Sequence, residues 1–188
     1  MTVRVESLCK SYGGVPVLKN VSFAVGRGVT CIMAPSGAGK TTLLRILLGL
    51  ERPDSGSVSL PSPCRVAAVF QEDRLLEQLD GAGNLRFVLG SAYDAARAEA
   101  LLARLGLDAG DKPVRDYSGG MKRRLALARA LLVDSDVLVL DEPFTGLDDE
   151  NRVRAWDCVR EAAETTCVLL VTHDGGDAEA LGGPVVRL

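Results

Sequence analysis

Apolar and polar residues alternate with a period of two in "TVRVESL" (2–8), "VLKNVSFAV" (17–25) and "GVTCIM" (28–33). This predicts three strands parted by the turn-forming "YGGVP" and "GRG". The period then changes. From Lys40 to about Leu50 apolar residues recur at helical spacing, and "ERPDSG" supplies the stop. "SVSL" (57–60) and "CRVAAVF" (64–70) predict two more strands, and the Ala/Leu-rich stretch 80–107 predicts one or two helices ending near Gly106. Ser118 is placed to cap a helix over "GGMKRRLALARALLV", in which Met121, Leu125, Ala128, Leu131 and Leu132 recur at helical spacing. "DVLVLDE" (136–142) is an apolar run of strand length, suited to the centre of a parallel sheet buried on both faces. A helix over "ENRVRAWDCVREAAE", a strand over "TTCVLLVTH" and a short strand over "PVVRL" complete the pattern.

Strands alternating with helices indicate an α/β unit, and the opening run of strands adds an antiparallel part. A chain of 188 residues fits one such domain. Its 22 Lys and Arg against 25 Asp and Glu give a net charge of −3, which supplies no general field for nucleic acid, so none is expected as a partner. The five cysteines (Cys9, Cys31, Cys64, Cys158, Cys167) are scattered and include no C-x-x-C pair, the expectation for a buried, reduced set. No leader and no long apolar run is read in the sequence, so any membrane role is expected to be peripheral.

The first candidate chemistry lies in "TCIMAPSGAGKTTLL" (30–44), where a strand empties into a Gly-rich turn that opens a helix. Backbone N–H groups in such a turn surround phosphate oxygens, and the helix dipole favours their charge. Ser36, Gly37, Ala38, Gly39, Lys40, Thr41 and Thr42 form the candidate cradle. Within it, Gly37 and Gly39 permit the tight path, Lys40 neutralises β/γ-phosphate charge and the Thr41 hydroxyl is a Mg²⁺ ligand. Ala34 departs from the usual glycine, and a methyl group is tolerable there if the backbone avoids a glycine-only conformation. Gly39 is expected to be the less replaceable of the two.

Mg²⁺ needs an acidic partner at a strand end. "VLVLDE" supplies Asp141 for the metal and Glu142 to orient or deprotonate a water. Ser118, Gly119 and Gly120 before the long helix form a second anion-ready N-terminus, which would otherwise be a plain cap. Lys122, Arg123 and Arg124 read as a solvated face that adds a favourable field for a bound anion.

With "APSGAGKTT", Gln71 in "VFQED", "YSGGM", "VLVLDEP", "TGLDD" and His173 in "LLVTHD" in this order, the chain from Tyr12 to His173 resembles the ATPase subunits of ABC transporters. The resemblance implies an α/β P-loop NTPase fold with a mostly parallel core sheet (about 30–72 and 134–188). An antiparallel β lobe (about 1–30) and an abbreviated helical lobe (about 73–133) complete it. It further implies that Tyr12 stacks on adenine, that Gln71 contacts Mg²⁺ or the attacking water, and that His173 bonds the γ-phosphate. The segment around Ser118 to Gly120 would close over ATP held by a second copy, head to tail, with Asp148 near the partner's site. Tyr117 and Met121 depart from the usual signature, and Met121 is similar to importers of the nitrate, sulfonate and taurine type.

The implied partners are a second ATPase copy and a membrane permease, with a substrate-binding protein as a further candidate; the implied cofactors are ATP and Mg²⁺. The implied location is the cytoplasmic face of the cell membrane. Leu75, Leu76, Leu79 and Phe87 stand where similar ATPases receive a short permease helix, or pack inside the small lobe. The chain ends soon after His173, so the usual C-terminal helices are not expected. A soluble ABC-type ATPase gating a protein or nucleic-acid partner is the rival from another class, and a P-loop kinase is a third reading.

Overall fold

The computed structural model describes residues 2–35, 37–108 and 110–188. Two sheets organise it. The first is antiparallel, with β1 (Val3–Tyr12) between β2 (Val15–Val25) and β4 (Ser55–Ser59). The second has five parallel strands: β5 (Val66–Val69), β6 (Val137–Asp141), β7 (Cys167–Thr172), β3 (Gly28–Met33) and β8 (Val185–Arg187), in that spatial order.

Alternation along the central strands divides two cores. Val137, Val139, Leu169 and Val171 face α1 (Lys40–Leu47) and the antiparallel sheet, where Val3, Val5, Leu8, Leu43 and Leu47 meet them. Leu138, Leu140, Val168 and Leu170 face the opposite way. There they pack with α4 (Gly119–Leu132), α5 (Asp149–Ala163) and α6 (Gly175–Leu181). Strands buried on both faces are the reason that "VLVLD" and "CVLLVT" are continuously apolar.

A third cluster joins Leu85 of α2 (Gly81–Leu89), Ala98 of α3 (Ala95–Arg104) and Leu125 and Leu132 of α4 to Val114 and Tyr117. Helix α4 therefore belongs to two cores, through Leu127 and Ala128 on one side and Leu125 and Leu132 on another. A helix buried nearly all round has no polar face to turn outward. Asn84, buried on α2, ties that helix to the preceding loop: its amide donates to the Leu76 and Asp80 carbonyls and its oxygen accepts from the Leu76 N–H.

Residues 55–59, inside the segment expected to form the P-loop core, pair as β4 with β1, Val5 opposite Val58, in the antiparallel sheet. Gly28–Met33 belongs wholly to the parallel sheet. Helix α6 was not anticipated, because Gly175 and Gly176 at its start weaken the helical signal, although Asp174 caps it. Cys31, Cys158 and Cys167 are buried, and burial pushes the Cys31 and Cys167 thiols up to about 11; Cys9 and Cys64 are only half-buried. No helix among the described residues is long and apolar enough to cross a membrane.

Phe144, just after β6, is 1% exposed and meets the ring of Trp156 edge-on at 6.4 Å between centroids. Phe144→Ala is expected to lower stability by about 4 kcal/mol through the cavity it leaves. A urea titration followed by the fluorescence of Trp156, the single tryptophan, measures this as a lower midpoint with an unchanged slope.

Candidate functional site

The site forms at the C-terminal ends of β3, β6 and β7. β3 leads into the Gly-rich turn, where Gly37 and Gly39 have positive φ of 81° and 88°. Helix α1 begins at Lys40 with Gly39 as its cap and no side-chain hydrogen bond to its first N–H groups. Helices α2 to α6 are each capped by an Asp or Ser side chain: Asp80, Asp94, Ser118, Asp148 and Asp174. The open N-terminus thus lies in the Gly-rich turn, as an anion site requires. Ser36, predicted as part of the cradle, lies outside the described residues.

Lys40 turns back into the loop, its Nζ donating to the Ala34 carbonyl at 2.9 Å and standing 3.7 Å from Glu142 Oε1. Ala34 is buried and its φ is not positive, so the alanine fits without strain. Ala38 and Thr42 are half-buried in the loop and the first turn of α1.

Glu142 follows β6 and takes a positive φ of 50°, rare for a residue with a side chain. Its backbone is held on β7, with Glu142 N–H donating to the Val171 carbonyl at 2.9 Å. His173 Nδ1 lies 2.8 and 2.9 Å from the two Glu142 carboxylate oxygens. Against an ionised carboxylate, the Nδ1–H tautomer donates.

Gly37, Lys40, Gln71, Asp141, Glu142, Thr145 and His173 line one cavity of about 430 Å³. Thr41, Gln71 and Asp141 line an adjoining one of about 490 Å³. Gln71 and Asp141 border both. Burial pushes the Asp141 carboxyl up, the neighbouring Glu142 adds to this, and Lys40 and Arg123 only partly oppose it. A buried carboxylate in that balance is stabilised by a further positive charge. The residues therefore fit Mg²⁺, which the Thr41 hydroxyl, Asp141 and Gln71 would hold. Among the described residues no three His, Cys, Asp or Glu side chains cluster as an all-protein metal cage, which Mg²⁺ does not need.

Other predicted residues stand apart from these cavities. Ser118 caps α4, its Oγ accepting from the Met121 N–H at 3.2 Å, and neither it nor Gly119 nor Gly120 lines either cavity. Gly120 instead packs beside the Gly146 carbonyl. Asp148 accepts from the backbone and side chain of Asn151, which holds its carboxyl below the ordinary range. Tyr12 is half-exposed on the β1–β2 hairpin; its hydroxyl donates to Glu51, and Lys10 Nζ lies 5.4 Å from its ring centroid. Tyr117 is buried in the helical lobe with its hydroxyl against Gly81. Leu76, Leu79 and Phe87 are exposed, whereas Leu75 packs inward.

The Lys-Arg-Arg run is not a solvated face. Lys122 pairs with Glu77, but Arg123 and Arg124 are 7% and 8% exposed. Arg124 donates to the Leu105, Gly106 and Gly120 carbonyls and to Asn151, and Arg123 reaches the loop that carries Gln71. Sequence reasoning also missed the support behind His173. Buried Asp177 accepts from Trp156 Nε1 at 3.1 Å and from Thr172 Oγ1 at 2.9 Å, and Thr172 Oγ1 accepts from the Asp174 N–H. An acidic residue four positions after His173 in a segment with a capping Asp was the available signal.

The chain belongs to the ABC transporter family, whose model matches residues 18–145. It carries the P-loop NTPase fold of ATP-binding cassettes. A solved dimeric bacterial ABC transporter cassette superimposes with a TM-score of 0.86 at 26% identity, covering 99% of this chain and 94% of that one. The daunorubicin resistance ATP-binding protein DrrA3 of Streptomyces coeruleorubidus is 40% identical over 95% of this chain. The chain spans 62% of that relative's length. The aliphatic sulfonates import ATP-binding protein SsuB 1 of Nocardia farcinica is 40% identical over 100% of this chain and 78% of its own.

A Cβ at position 39 would meet Val17 Cγ1 and Leu18 Cδ2 at 2.8 Å and the Val17 carbonyl at 3.0 Å, in a left-handed backbone. Gly39→Ala is expected to weaken ATP binding by at least about fivefold, since the left-handed conformation alone costs about 1 kcal/mol. Ala34→Gly should change it by less than about twofold. Calorimetric titration with ATP compares them, and equal, small effects would contradict this ranking.

Proposed function

We propose that this chain is the ATP-binding and ATP-hydrolysing subunit of an ABC transporter, working as a head-to-tail dimer on a separate membrane permease. The observation that carries the reading is the uncapped start of α1 at Lys40 beside Glu142, His173, Gln71 and Asp141 in two cavities that share Gln71 and Asp141. ATP phosphates sit on the N–H groups of the loop from Ser36 to Thr42, with Lys40 on the β/γ oxygens. Tyr12 offers its ring to adenine. Bound Mg²⁺ neutralises phosphate charge, and Thr41, Asp141 and Gln71 are the side chains that would hold it. Glu142 orients the attacking water and draws its proton, while His173 holds the Glu142 carboxylate in place and faces the γ-phosphate.

In the dimer, Ser118, Gly119 and Gly120 of one copy close over the nucleotide of the other, and Asp148 lies near the partner's site. The position of Ser118 outside both cavities of its own chain supports a role in trans. Closure and reopening drive the permease, for which the exposed Leu76, Leu79 and Phe87 offer a contact. Import is the direction we favour, on Met121 at the end of the Ser118–Gly120 segment and on the sulfonate-import relative, 40% identical over 100% of this chain. A substrate-binding protein belongs to this reading, and the working place is the inner face of the membrane.

Glu142→Gln should reduce hydrolysis by at least about a hundredfold and accumulate an ATP-bound dimer, measured by phosphate release and light scattering. Unchanged hydrolysis, or phosphate passed to a small acceptor, would count against this function.

A further inference from the structure

The loop from Phe70 to Arg74 joins β5 to the helical lobe and carries Gln71. It lies outside any helix or strand, so its carbonyls need other partners. Two arginines of α4 supply them. Arg123 donates to the Phe70 carbonyl at 2.8 Å and to the Gln71 carbonyl at 2.7 Å, and stands 3.0 Å from Asp73 Oδ1. Arg129 donates to the Asp73 and Arg74 carbonyls, both at 2.8 Å. Within the loop, Arg74 has a positive φ of 47° and lays its guanidinium 4.4 Å from the Phe70 ring centroid. Four carbonyls in a five-residue loop are thus gripped from one helix.

The choice of arginine has a physical reason. A guanidinium is a rigid planar fork whose two N–H groups reach two carbonyls at a fixed spacing, and charge-assisted bonds are the stronger kind. An ammonium is a point donor on a flexible stem and does not reproduce that pair. Helix α4 packs its other sides into two cores, so the forks keep their place on it and follow it. Arg123 also lines the cavity that Gln71 shares with Lys40 and Glu142.

We propose that Arg123 and Arg129 are positioning residues for Gln71: they fix the loop to α4, so the register of the helix that begins at Ser118 sets where the Gln71 amide lies. This rests on the reading of Gln71 as the Mg²⁺ or water contact. A displacement of α4 at its Ser118 end is then carried to Gln71 by the guanidinium bonds rather than by the intervening chain. In this proposal the arginines act through the loop they hold.

The test is a double-mutant cycle in the full chain, with Arg123→Lys and Arg129→Lys each made alone and with Gln71→Ala. The readings are kcat for ATP hydrolysis, the Mg²⁺ concentration giving half the maximal rate, and ATP affinity without Mg²⁺. Each lysine variant is expected to lower kcat by about tenfold and to raise the Mg²⁺ requirement, leaving Mg²⁺-free affinity within about twofold. In the Gln71→Ala background the same substitutions should cost nothing further. Additive losses there, or lysine variants with unchanged kcat and Mg²⁺ requirement, overturn the proposal while leaving the Gln71 reading in place. If Gln71→Ala itself leaves hydrolysis intact, both fall. Should Arg123→Lys fail to fold, the half-buried Arg129 carries the cycle by itself.

Discussion

β7 lies between β3 and β6, and the hydrogen bonds of that pairing, with Met33 opposite Thr172 and Asp141 opposite Val171, set where the chemistry can occur. Parallel strands in register end together, so three segments far apart in sequence deliver Lys40, Glu142 and His173 to one edge. A slip of one residue in β7 would turn its apolar side chains to the wrong cores and move His173 away from Glu142. The same bonds hold Glu142 in its unusual backbone conformation, through its N–H to Val171. Burial of the strands on both faces stabilises the register, and the register fixes the site.

Helix α4 links this site to the rest of the molecule. Its start is capped by Ser118 and sets Gly120 beside Gly146, its middle supplies Arg124 to the Gly106 turn and Asn151, and Arg123 and Arg129 hold the Gln71 loop. Charged side chains buried at such a junction must be fully hydrogen-bonded, and here they are bonded mainly to backbone carbonyls. That arrangement gives the helical lobe a defined position against the strands. Helix α4, at 14 residues, is longer than α2 and α3 at 9 and 10.

Much of this was legible in the sequence where local pattern and chemistry coincide. The alternation in "DVLVLDE", the Gly-rich turn before Lys40 and the Ser118 cap each announce both an element and a candidate group. Sheet membership was less legible: five residues of "SGSVS" alternate in the same way whether the partner is β1 or a parallel strand. Arg123 and Arg124 were misread because helical periodicity assigns charge to the outside, and only tertiary packing reveals carbonyls waiting inside. The Asp177 network was missed for a related reason. Its partners Trp156 and Thr172 come from different elements, and nothing in the local sequence connects them.

The proposed composite site needs two chains, one giving Lys40 and the other Ser118 to Gly120. Mixing two inactive variants, Lys40→Ala and Ser118→Arg, and measuring ATP hydrolysis tests it directly. In a mixed dimer, Lys40 of the second variant and Ser118 of the first form one intact site, so the mixture should regain activity that neither variant has alone. A mixture as inactive as its components, with mixed dimers shown to form, would contradict the account.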